Sequence, residues 1–434
     1  MTDTIFALSS GRPPAAIAVI RISGPHSFAI HSLFTKDATP SQPRAAHVRA
    51  LLDPDSGEVL DRALILCLPG PDTVTGEDLV EWHCHGGSAV VRAVLAALAK
   101  QENAFPLREA EAGEFTRRSF ENGRIDLNEA EGLADLLSAE TESQRRAAIM
   151  MADGHFSRRL EDWRGRLLAC SAQVESLLDF SDEDDVPDEG LESGVRKNLA
   201  DLMLDMAAQL SAPSAERLRD GIHLVLAGPP NAGKSTLLNA LAGREAAIVS
   251  DIAGTTRDRI EVPVSLGGVA FVLTDTAGLA ETTDDRIEQI GIDRAKQAID
   301  SADIVLWLGA PDDSPREDAI CVSAQMDRVD WVESEGTTIC ISARTGKNMA
   351  VLVEMILNKV KHLIPTEGSY ALHKRQRDAV TNIVQLLRDA QLETDLLIVA
   401  EQLRLSRDAM DRLIGRSGVE DMLDSLFSRF CIGK

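Results

Sequence analysis

A phosphate-binding loop is the clearest chemical signal in the sequence. The stretch LVLAGPPNAGKST (224–236) contains the spacing G-x-x-x-x-G-K-S between an apolar strand and the helix STLLNALAG. In that context backbone N–H groups cradle phosphates, Lys234 neutralises the β- and γ-phosphate oxygens, and the Ser235 hydroxyl binds Mg²⁺. The sequence therefore predicts a nucleoside triphosphate site at this loop.

Two further stretches lie where a GTPase needs them. GTTRD (254–258) supplies a switch threonine, assigned to Thr256, and DTAGL (275–279) ends an apolar strand. Asp275 would hold Mg²⁺ through water, and the Gly278 amide would sense the γ-phosphate. Together with the P-loop, these stretches predict a GTPase rather than a kinase.

Recognition of the base departs from the usual pattern. GTPases carry N-K-x-D after the next strand, and here Ala324 and Gln325 stand in place of the Asn and Lys. Asp327 is retained, and its carboxylate can pair with the guanine amino and ring N–H groups, so we expect guanine preference with weakened affinity. The stretch ISARTG (341–346) matches the loop that closes over the base, with contacts expected from Ser342, Ala343 and Arg344.

Hydrolysis must be organised differently from many GTPases. Leu279 follows DTAG, where a water-orienting glutamine is common. Asn231, inside the P-loop, places a side-chain carbonyl beside the phosphates. A monovalent cation there would supply the positive charge that an arginine finger supplies elsewhere, so we predict cation-dependent hydrolysis.

Composition restricts location and partners. No apolar run in the 434 residues approaches the roughly 18 to 20 that a membrane span needs, and the N-terminus lacks a signal-peptide pattern, so we expect a cytoplasmic protein without membrane association. The six cysteines lack CxxC spacing and are expected to be free thiols. The net charge of −24 would repel nucleic acid, so RNA binding requires local patches or a basic partner.

The period of the apolar residues changes along the chain. Up to about Gly87, short apolar runs and turns such as DPDSGE (53–58) indicate an α+β domain, and SAVVRAVLAALAK (88–100) indicates a helix. Strands alternate with helices from Gly221 to about residue 363, after which helical periodicity returns, with Gly415 at a helix end. A further stripe at helical spacing is interpreted as core: Leu160, Trp163, Leu167, Cys170, Val174 and Leu177.

Two helical blocks flanking a complete α/β unit indicate one helical domain interrupted by an inserted domain. We predict a multidomain α+β and α/β fold whose P-loop domain has a mainly parallel sheet. The expected boundaries are an N-terminal domain at 1–122, helical parts at 123–215 and 367–434, and the GTPase domain at 216–366.

The motifs together resemble those of the tRNA modification GTPases called MnmE or TrmE. The similarity runs from DTIFALSS and VIRISG through TGEDLVEWHCHGG, GEFTRRSFENGRIDLNEAEGLADLL and GPPNAGKSTLLNALAGREAAIVSDIAGTTRD to the terminal C-x-G-K. It covers most of the chain. P-loops are common, but this combination with C-x-G-K at the end of the sequence is highly specific.

The resemblance implies a folate-binding N-terminal domain that forms a homodimer, and a heterotetramer with the flavoprotein MnmG (GidA), which alone carries FAD. It implies that the complex binds tRNA and installs a carboxymethylaminomethyl or aminomethyl group on the wobble uridine. The one-carbon unit would come from a formyl or methylene tetrahydrofolate. GTP, Mg²⁺ and K⁺ would act together when G domains pair across the dimer.

The resemblance also implies roles for individual residues. The folate contacts would be Arg21, Glu81, Arg124 and Lys434. The potassium ligands would be Asn231, Ser250, the Ile252 backbone and Thr255, and Glu288 would orient water. Catalytic roles are expected of Glu288, Lys234, Thr256 and Cys431, and magnesium ligation of Ser235 and Thr256. The other expected GTP contacts are Ala232, Gly233, Thr236, Thr276 and Ala277.

The end of the sequence, RFCIGK (429–434), places a thiol and a terminal lysine behind an apolar run. The resemblance implies that this tail docks beside a bound folate, with Lys434 against it and Cys431 near the one-carbon unit. Cys431 is then either a nucleophile or a packing thiol, and the sequence leaves both possibilities open.

Two other groups of residues have competing interpretations. On a strand, His83 and His85 of EWHCHGG face one side and Cys84 the other, which favours a ligand-pocket wall over a metal site. The basic residues of RRSF (117–120) and those at 145–146 are interpreted as solvated helix surface, with tRNA contact as the alternative.

Two function classes stay open from the sequence. The first is the GTPase of a tRNA-modifying complex. The second is a ribosome-assembly or signalling GTPase that acts only as a switch. The folate-like N-terminal domain and the C-x-G-K tail favour the first, since a switch needs neither.

Overall fold

The computed structural model describes residues 3–36, 42–179, 188–244, 261–276, 285–328, 331, 336–364, 370–415, 420–428 and 430–434. The chain divides into two compact units, one of Met1–Ala134 with Asp411–Lys434 and the other of Asp135–Met410. Within the described ranges no helix is both long enough and apolar enough to cross a membrane.

The first unit is built on a mixed sheet in the order β3-β4-β5-β2-β1-β6, antiparallel except between β1 and β6. Its described strands are β1 Thr4–Leu8, β2 Ile17–Ser23, β3 Ala46–Leu52, β4 Val59–Leu68, β5 Leu79–His85 and β6 Leu107–Glu109. Its helices are α1 Ser27–Thr35, α2 Ser88–Ala99, α3 Glu114–Glu121, the start of α4 Leu127–Ser138, and α14 Glu420–Phe427 near the chain end. The predicted helix at 88–100 and the predicted turn at 53–58, between β3 and β4, are confirmed.

The core of this unit follows from the pattern of its strands. Buried residues alternate with partly exposed ones along β4 and β5, so one face of the sheet packs against α1 and α2. Trp82 on β5 is fully buried and packs against Phe34 of α1, with ring centroids 5.1 Å apart. The opposite side of β5 carries Glu81, His83 and His85, which are partly or fully exposed.

The second unit contains a group of helices besides its α/β layer. They are α5 Glu142–Ala152, α6 His155–Asp179, α7 Asp188–Leu210, α8 Ala215–Asp220, α12 Lys374–Leu392 and most of α13 Leu396–Ile414. Every residue of the predicted stripe on α6 is buried, which confirms its assignment to the core. Gly415, at φ +93°, follows the last residue of α13, as predicted for a glycine that ends a helix.

The rest of the second unit is an α/β layer. Its described strands, in the order β12-β11-β10-β7-β9-β8, are parallel except for the β8–β9 hairpin, which confirms the predicted mainly parallel sheet. The strands are β7 Ile222–Ala227, β8 Glu261–Leu266, β9 Val269–Asp275, β10 Ile304–Trp307, β11 Ile320–Ser323 and β12 Ile339–Cys340. The helices are α9 Lys234–Arg244, α10 Asp285–Ser301 and α11 Met349–Val360, and short 3₁₀ helices occupy Lys100–Asn103, Pro311–Asp313 and Lys361–Leu363.

Candidate functional site

The P-loop lies between the carboxyl end of β7 and the start of α9. Lys234 is only 5% exposed, and its Nζ donates hydrogen bonds to the carbonyl oxygens of Gly228 at 2.8 Å and Pro229 at 2.9 Å. The side chain therefore folds back over the loop and holds its ammonium group at the loop's centre. Burial lowers the pKa of Lys234, while the negative charge of Asp275 acts in the opposite direction.

Two hard oxygen ligands meet beside this lysine. Leu226 on β7 and Asp275 on β9 are paired in the parallel register, so Asp275 lies at the same edge of the sheet as the P-loop. The Ser235 hydroxyl donates a hydrogen bond to Asp275 Oδ2 at 2.6 Å. A hydroxyl and a carboxylate this close have the donor chemistry that Mg²⁺ prefers, so these residues fit the predicted ion.

The base-recognition loops approach each other after β11 and β12. Asp327 Oδ1 accepts a hydrogen bond from the fully buried Ser342 hydroxyl at 2.8 Å, and Met326 N–H donates to the Ile341 carbonyl at 3.1 Å. Asp327 is exposed, as is Arg344. The buried Ser342 hydroxyl therefore holds one oxygen of the Asp327 carboxylate in place, and the side chain of Asp327 is open to solvent.

A cavity of about 810 Å³ opens over the P-loop. Its volume lies within the range of about 300 to 1,000 Å³ that small-molecule sites occupy. The predicted nucleotide contacts among its lining residues are Asn231, Gly233, Lys234, Ser235, Thr236 and Thr276.

A charged pair occupies the polar side of the sheet in the first unit. Arg21 on β2 stands opposite Glu81 on β5, and its Nη2 and Nε donate to Glu81 Oε1 at 2.7 and 3.0 Å. The guanidinium carbon lies 5.6 Å from the centre of the Phe115 ring. Burial alone would raise the pKa of Glu81, but the charge and hydrogen bonds of Arg21 outweigh burial and the pKa is lowered.

The C-terminal segment docks within the same unit. Ile432 pairs with Ala112 in an antiparallel bridge, and Phe427 and Phe430 are buried in an apolar cluster. Gly433 has φ +95°, and a Cβ at this position would lie 2.1 Å from the Leu8 carbonyl oxygen. The tail is thus held against the end of β1 by backbone contacts that only glycine allows.

The two remaining predicted folate contacts lie in this unit as well. Lys434 is half-buried at the end of the docked tail, next to the exposed Cys431. Arg124 has its Nη2 3.6 Å from Asp72 Oδ1, and its side chain packs near Gly76. The structure therefore joins Arg21 to Glu81 directly and places Arg124 beside the loop that precedes β5.

Comparison with known proteins identifies the family of this chain. A family model described as MnmE helical domain matches residues 127–431, and one described as GTP-binding protein TrmE N-terminus matches residues 4–124. The chain is 56% identical to the tRNA modification GTPase MnmE of Rhizorhabdus wittichii over 100% of this chain and 97% of that protein. It is 52% identical to the protein of the same name from Erythrobacter litoralis over 100% of both. The chain belongs to the MnmE family of tRNA modification GTPases.

A weaker likeness exists among solved structures. The G domain of the FeoB iron transporter from T. maritima has 23% identity and a TM-score of 0.24, covering 32% of this chain and 98% of that chain.

Several residues predicted from the motifs or from the resemblance to the MnmE family lie outside the described residues, and their roles stay predictions. These are Ser250, Ile252, Thr255, Thr256, Ala277 and Gly278. Glu288 belongs to α10, but its side chain is likewise outside the described part of the structure. The described part of the MnmE nucleotide site is therefore the P-loop, Asp275, Thr276 and the base loops.

The histidines of EWHCHGG each have a carboxylate neighbour in this MnmE family member. His83 Nε2 lies 3.3 Å from Glu81 Oε2, and His85 Nδ1 lies 2.7 Å from Asp61 Oδ1. Cys84 points into the core, where burial raises the pKa of its thiol to about 12. His83 thus extends the Arg21–Glu81 pair.

The interpretation of RRSF as solvated surface is wrong for Arg118. This side chain is completely buried and forms ion pairs with Asp3 at 3.0 Å, Glu77 at 3.1 Å and Glu114 at 3.0 Å. The carboxylates of Asp3 and Glu77, from distant parts of the sequence, and of Glu114, one turn earlier on the same helix, offset the cost of burying the guanidinium. Arg117 does lie on the surface, where it pairs with Glu121 and Asp424.

Sequence reasoning missed two residues of the candidate sites. Gln325 was noted only as a substitution, yet its Nε2 donates a hydrogen bond to the Asn231 carbonyl at 3.0 Å. Phe115, beneath Arg21, carries no motif at all. Gln325 could have been identified from its position within the altered N-K-x-D motif. Phe115 could be identified only from the fold.

Proposed function

We propose that this protein hydrolyses GTP to GDP and phosphate at the P-loop and that hydrolysis serves tRNA modification. The observation that carries the proposal is the cluster of Lys234, Ser235 and Asp275 at the carboxyl edge of β7 and β9. A buried cation beside two hard oxygen ligands is the arrangement that phosphoryl transfer requires.

Each residue of the cluster has a distinct task. Lys234 would leave the carbonyls of Gly228 and Pro229 for the β- and γ-phosphate oxygens, whose charge offsets the desolvation that lowers its pKa. Ser235 and Asp275 would hold Mg²⁺, which when bound neutralises phosphate charge. Asp327, fixed by Ser342, would accept hydrogen bonds from the guanine N–H groups.

We further propose that potassium assists hydrolysis. Asn231 lies at the exposed crest of the P-loop at φ +63°, and the neighbouring residue after DTAG is Leu279 rather than a glutamine. The side-chain carbonyl of Asn231 is a suitable ligand for a monovalent cation. The further proposed ligands are Ser250, Ile252 and Thr255. Glu288 would orient the attacking water when G domains pair.

The potassium proposal is tested by comparing hydrolysis rates in potassium and sodium. Asn231→Ala should slow turnover in potassium by about ten- to a thousandfold, as expected from the loss of one transition-state charge contact. The same variant should change the slow rate in sodium little. Equal rates of the unaltered protein in the two salts would refute the proposal.

The proposed site of the one-carbon donor is the polar side of the sheet in the first unit. Glu81 can accept hydrogen bonds from the amino and ring N–H groups of a pterin, and Arg21, Arg124 and Lys434 can pair with the carboxylates of a folate. Their chemistry therefore fits tetrahydrofolate. When bound, the folate supplies the one-carbon unit, while the docked tail keeps Cys431 and Lys434 close to the end of β1.

We propose that the chain works as a homodimer in a complex with the flavoprotein MnmG, which would bring the tRNA. The support for a tRNA-carrying partner is electrostatic. A chain of net charge −24 repels the phosphates of RNA, and because salt screens this repulsion beyond a Debye length of about 8 Å, the repulsion acts mainly at the short range of direct contact. Salt-dependent, tight tRNA binding by this chain alone would contradict this part of the proposal.

The function as a whole is tested by nucleoside analysis of tRNA from a strain that lacks the gene. We expect loss of the carboxymethylaminomethyl or aminomethyl group at the wobble uridine and its return with the intact gene. Complementation with Lys234→Ala should fail to restore it. If the wobble uridine is unchanged in the deletion strain, a role in tRNA modification is ruled out and the alternative of a GTPase that acts only as a switch is retained.

A further inference from the structure

Gln325 lies against the crest of the P-loop. It follows β11, and its side-chain Nε2 donates a hydrogen bond to the backbone carbonyl of Asn231 at 3.0 Å. The same nitrogen would be 3.4 Å from a Cβ at Gly233, so the amide is packed closely over the loop. One side chain thus touches the part of the P-loop that arches over the phosphates.

The orientation of this amide is set by a second hydrogen bond. Gln325 Oε1 accepts from Arg328 Nη1 at 2.9 Å. Because an amide oxygen can only accept and its nitrogen only donate, the arginine directs the oxygen away from the P-loop and the nitrogen toward it. Arg328 therefore presents the donor of Gln325 to the Asn231 carbonyl.

The backbone of Gln325 is anchored on the base-recognition side. It forms an isolated antiparallel bridge with Ser342, and the next residue donates from Met326 N–H to the Ile341 carbonyl. Ser342 in turn fixes the Asp327 carboxylate. Gln325 consequently spans the two halves of the site, with its backbone at the base loops and its side chain at the P-loop.

Asn231 is a residue whose position needs such a support. It is a non-glycine residue at φ +63°, a conformation that L-residues adopt at a cost. A hydrogen bond to the Asn231 carbonyl stabilises this backbone conformation. It also fixes the orientation of the peptide between Asn231 and Ala232, whose N–H group belongs to the P-loop.

We propose that Gln325 is a positioning residue for nucleotide binding, which ties the P-loop to the base-recognition loop and keeps the phosphate and guanine subsites in register. This inference rests on the nucleotide site proposed above. The lysine that is usual at this motif position is replaced by a neutral side chain, whose amide supplies a donor to the P-loop without a charge. The substitution would then explain how a chain with the altered sequence AQMD still forms a nucleotide site.

The test compares two variants. Gln325→Leu removes the hydrogen-bond donor, and Gln325→Lys replaces the amide donor with an ammonium donor. We expect Gln325→Leu to raise the Kd for GDP and the KM for GTP about three- to twelvefold, the range for one hydrogen bond, with kcat within twofold. Gln325→Lys should return both values to those of the unaltered protein or below. Gln385→Leu, the same exchange at an exposed position of α12, is the matched control and should change neither.

A second variant covers the case in which Gln325→Leu does not fold. Arg328→Ala removes the contact that orients the amide, and we expect it to raise the Kd for GDP two- to threefold with kcat retained. A Kd for GDP that is unchanged in Gln325→Leu overturns the inference, and where Gln325→Leu does not fold, an unchanged Kd in Arg328→Ala overturns it. So does a Gln325→Lys protein that binds as weakly as Gln325→Leu, because a donor at this position would then have no effect.

The nucleotide site itself is tested separately with Asp327→Asn. An amide at this position can donate to the additional carbonyl of xanthine, so preference should shift from GDP to xanthosine diphosphate. Absence of that shift would contradict the base site and with it the inference. A clear shift together with unaltered binding in Gln325→Leu would overturn the tether alone.

Discussion

The nucleotide site and the Arg21–Glu81 region are constructed in opposite ways. Most of the nucleotide site comes from one continuous stretch, 228–236, completed by Asp275 from a neighbouring parallel strand. The region in the first unit joins residues 60 positions apart in sequence and lies in the unit to which the tail also docks. A continuous motif positions its groups by local backbone geometry, whereas a dispersed site depends on each long-range contact.

This difference predicts how each site fails. In the P-loop a single side-chain change should remove chemistry and leave the fold intact, because the backbone forms the cradle. In the first unit a change far from the charged pair should disturb the site, because glycine contacts hold the tail in place. The predictions below follow from this contrast.

The largest effect is expected at Lys234. Lys234→Ala removes the buried cation, and hydrolysis should fall by at least about a hundred- to a thousandfold, which single-turnover phosphate release would measure. Folate binding should be unchanged, since the proposed folate site lies in the first unit. Lys359→Ala, at a lysine of α11 that pairs with Asp318, is the control and should hydrolyse GTP normally.

Removal of residues 431–434 should produce the converse result. We expect tRNA modification to be lost and the Kd for tetrahydrofolate to rise at least about tenfold, with GTP hydrolysis nearly unchanged. Cys431→Ser separates the roles of the thiol, because retained folate binding without modification indicates chemistry and retention of both indicates packing. A truncation that impaired hydrolysis as severely as Lys234→Ala would contradict the contrast between the sites.

Gly433→Ala is the finer test of the tail. The new methyl would meet the Leu8 carbonyl oxygen at 2.1 Å, so the tail should undock and folate binding should weaken as in the truncation. Ile432→Ala is the control, because that side chain is 57% exposed and its loss leaves the backbone bridge. Equal folate affinities in Gly433→Ala and the unaltered protein would show that tail docking is not required.

A pair of glycines tests how much the close packing of α14 against Gly113 contributes to stability. Gly113, at φ +69°, would place a Cβ 2.3 Å from the Phe427 carbonyl oxygen of α14, whereas Gly123, at φ +66°, has open space around it. We expect Gly123→Ala to cost about 1 kcal/mol for backbone strain alone and Gly113→Ala about 2 to 4 kcal/mol. Chemical denaturation measures the free energy of unfolding of both variants. Equal costs would mean that α14 can shift away from the new methyl at Gly113 without loss of stability.

The smallest effect concerns pH and Glu81. Because the folded-state pKa of Glu81 is lowered, its contribution to stability is present above the ordinary carboxyl pKa and is lost as pH falls through the folded value. Glu81→Gln should therefore reduce the free energy of unfolding by about 1 kcal/mol near pH 6, and the difference should shrink as the pH falls below the ordinary carboxyl pKa. A difference that grew on acidification would contradict the sign.

Local patterns were sufficient for much of this protein. The stripe on α6, the helix at 88–99 and the glycine after α13 could be predicted because neighbours three or four residues apart determine such features. The P-loop could be predicted for the same reason, since its glycines and Lys234 act within one turn of chain. The family followed from the order of these motifs, and the comparisons confirm it.

Only the tertiary structure decided the remaining features. Arg118 looks like a surface residue in its own helix and is buried because Asp3, Glu77 and Glu114 converge on it. Gln325 looks like a lost motif residue and is a tether because the P-loop carbonyl of Asn231 lies within 3.0 Å of it. Such roles depend on partners as far as 94 and 115 residues away in sequence, whose positions are fixed by sheet register and packing rather than by any local pattern.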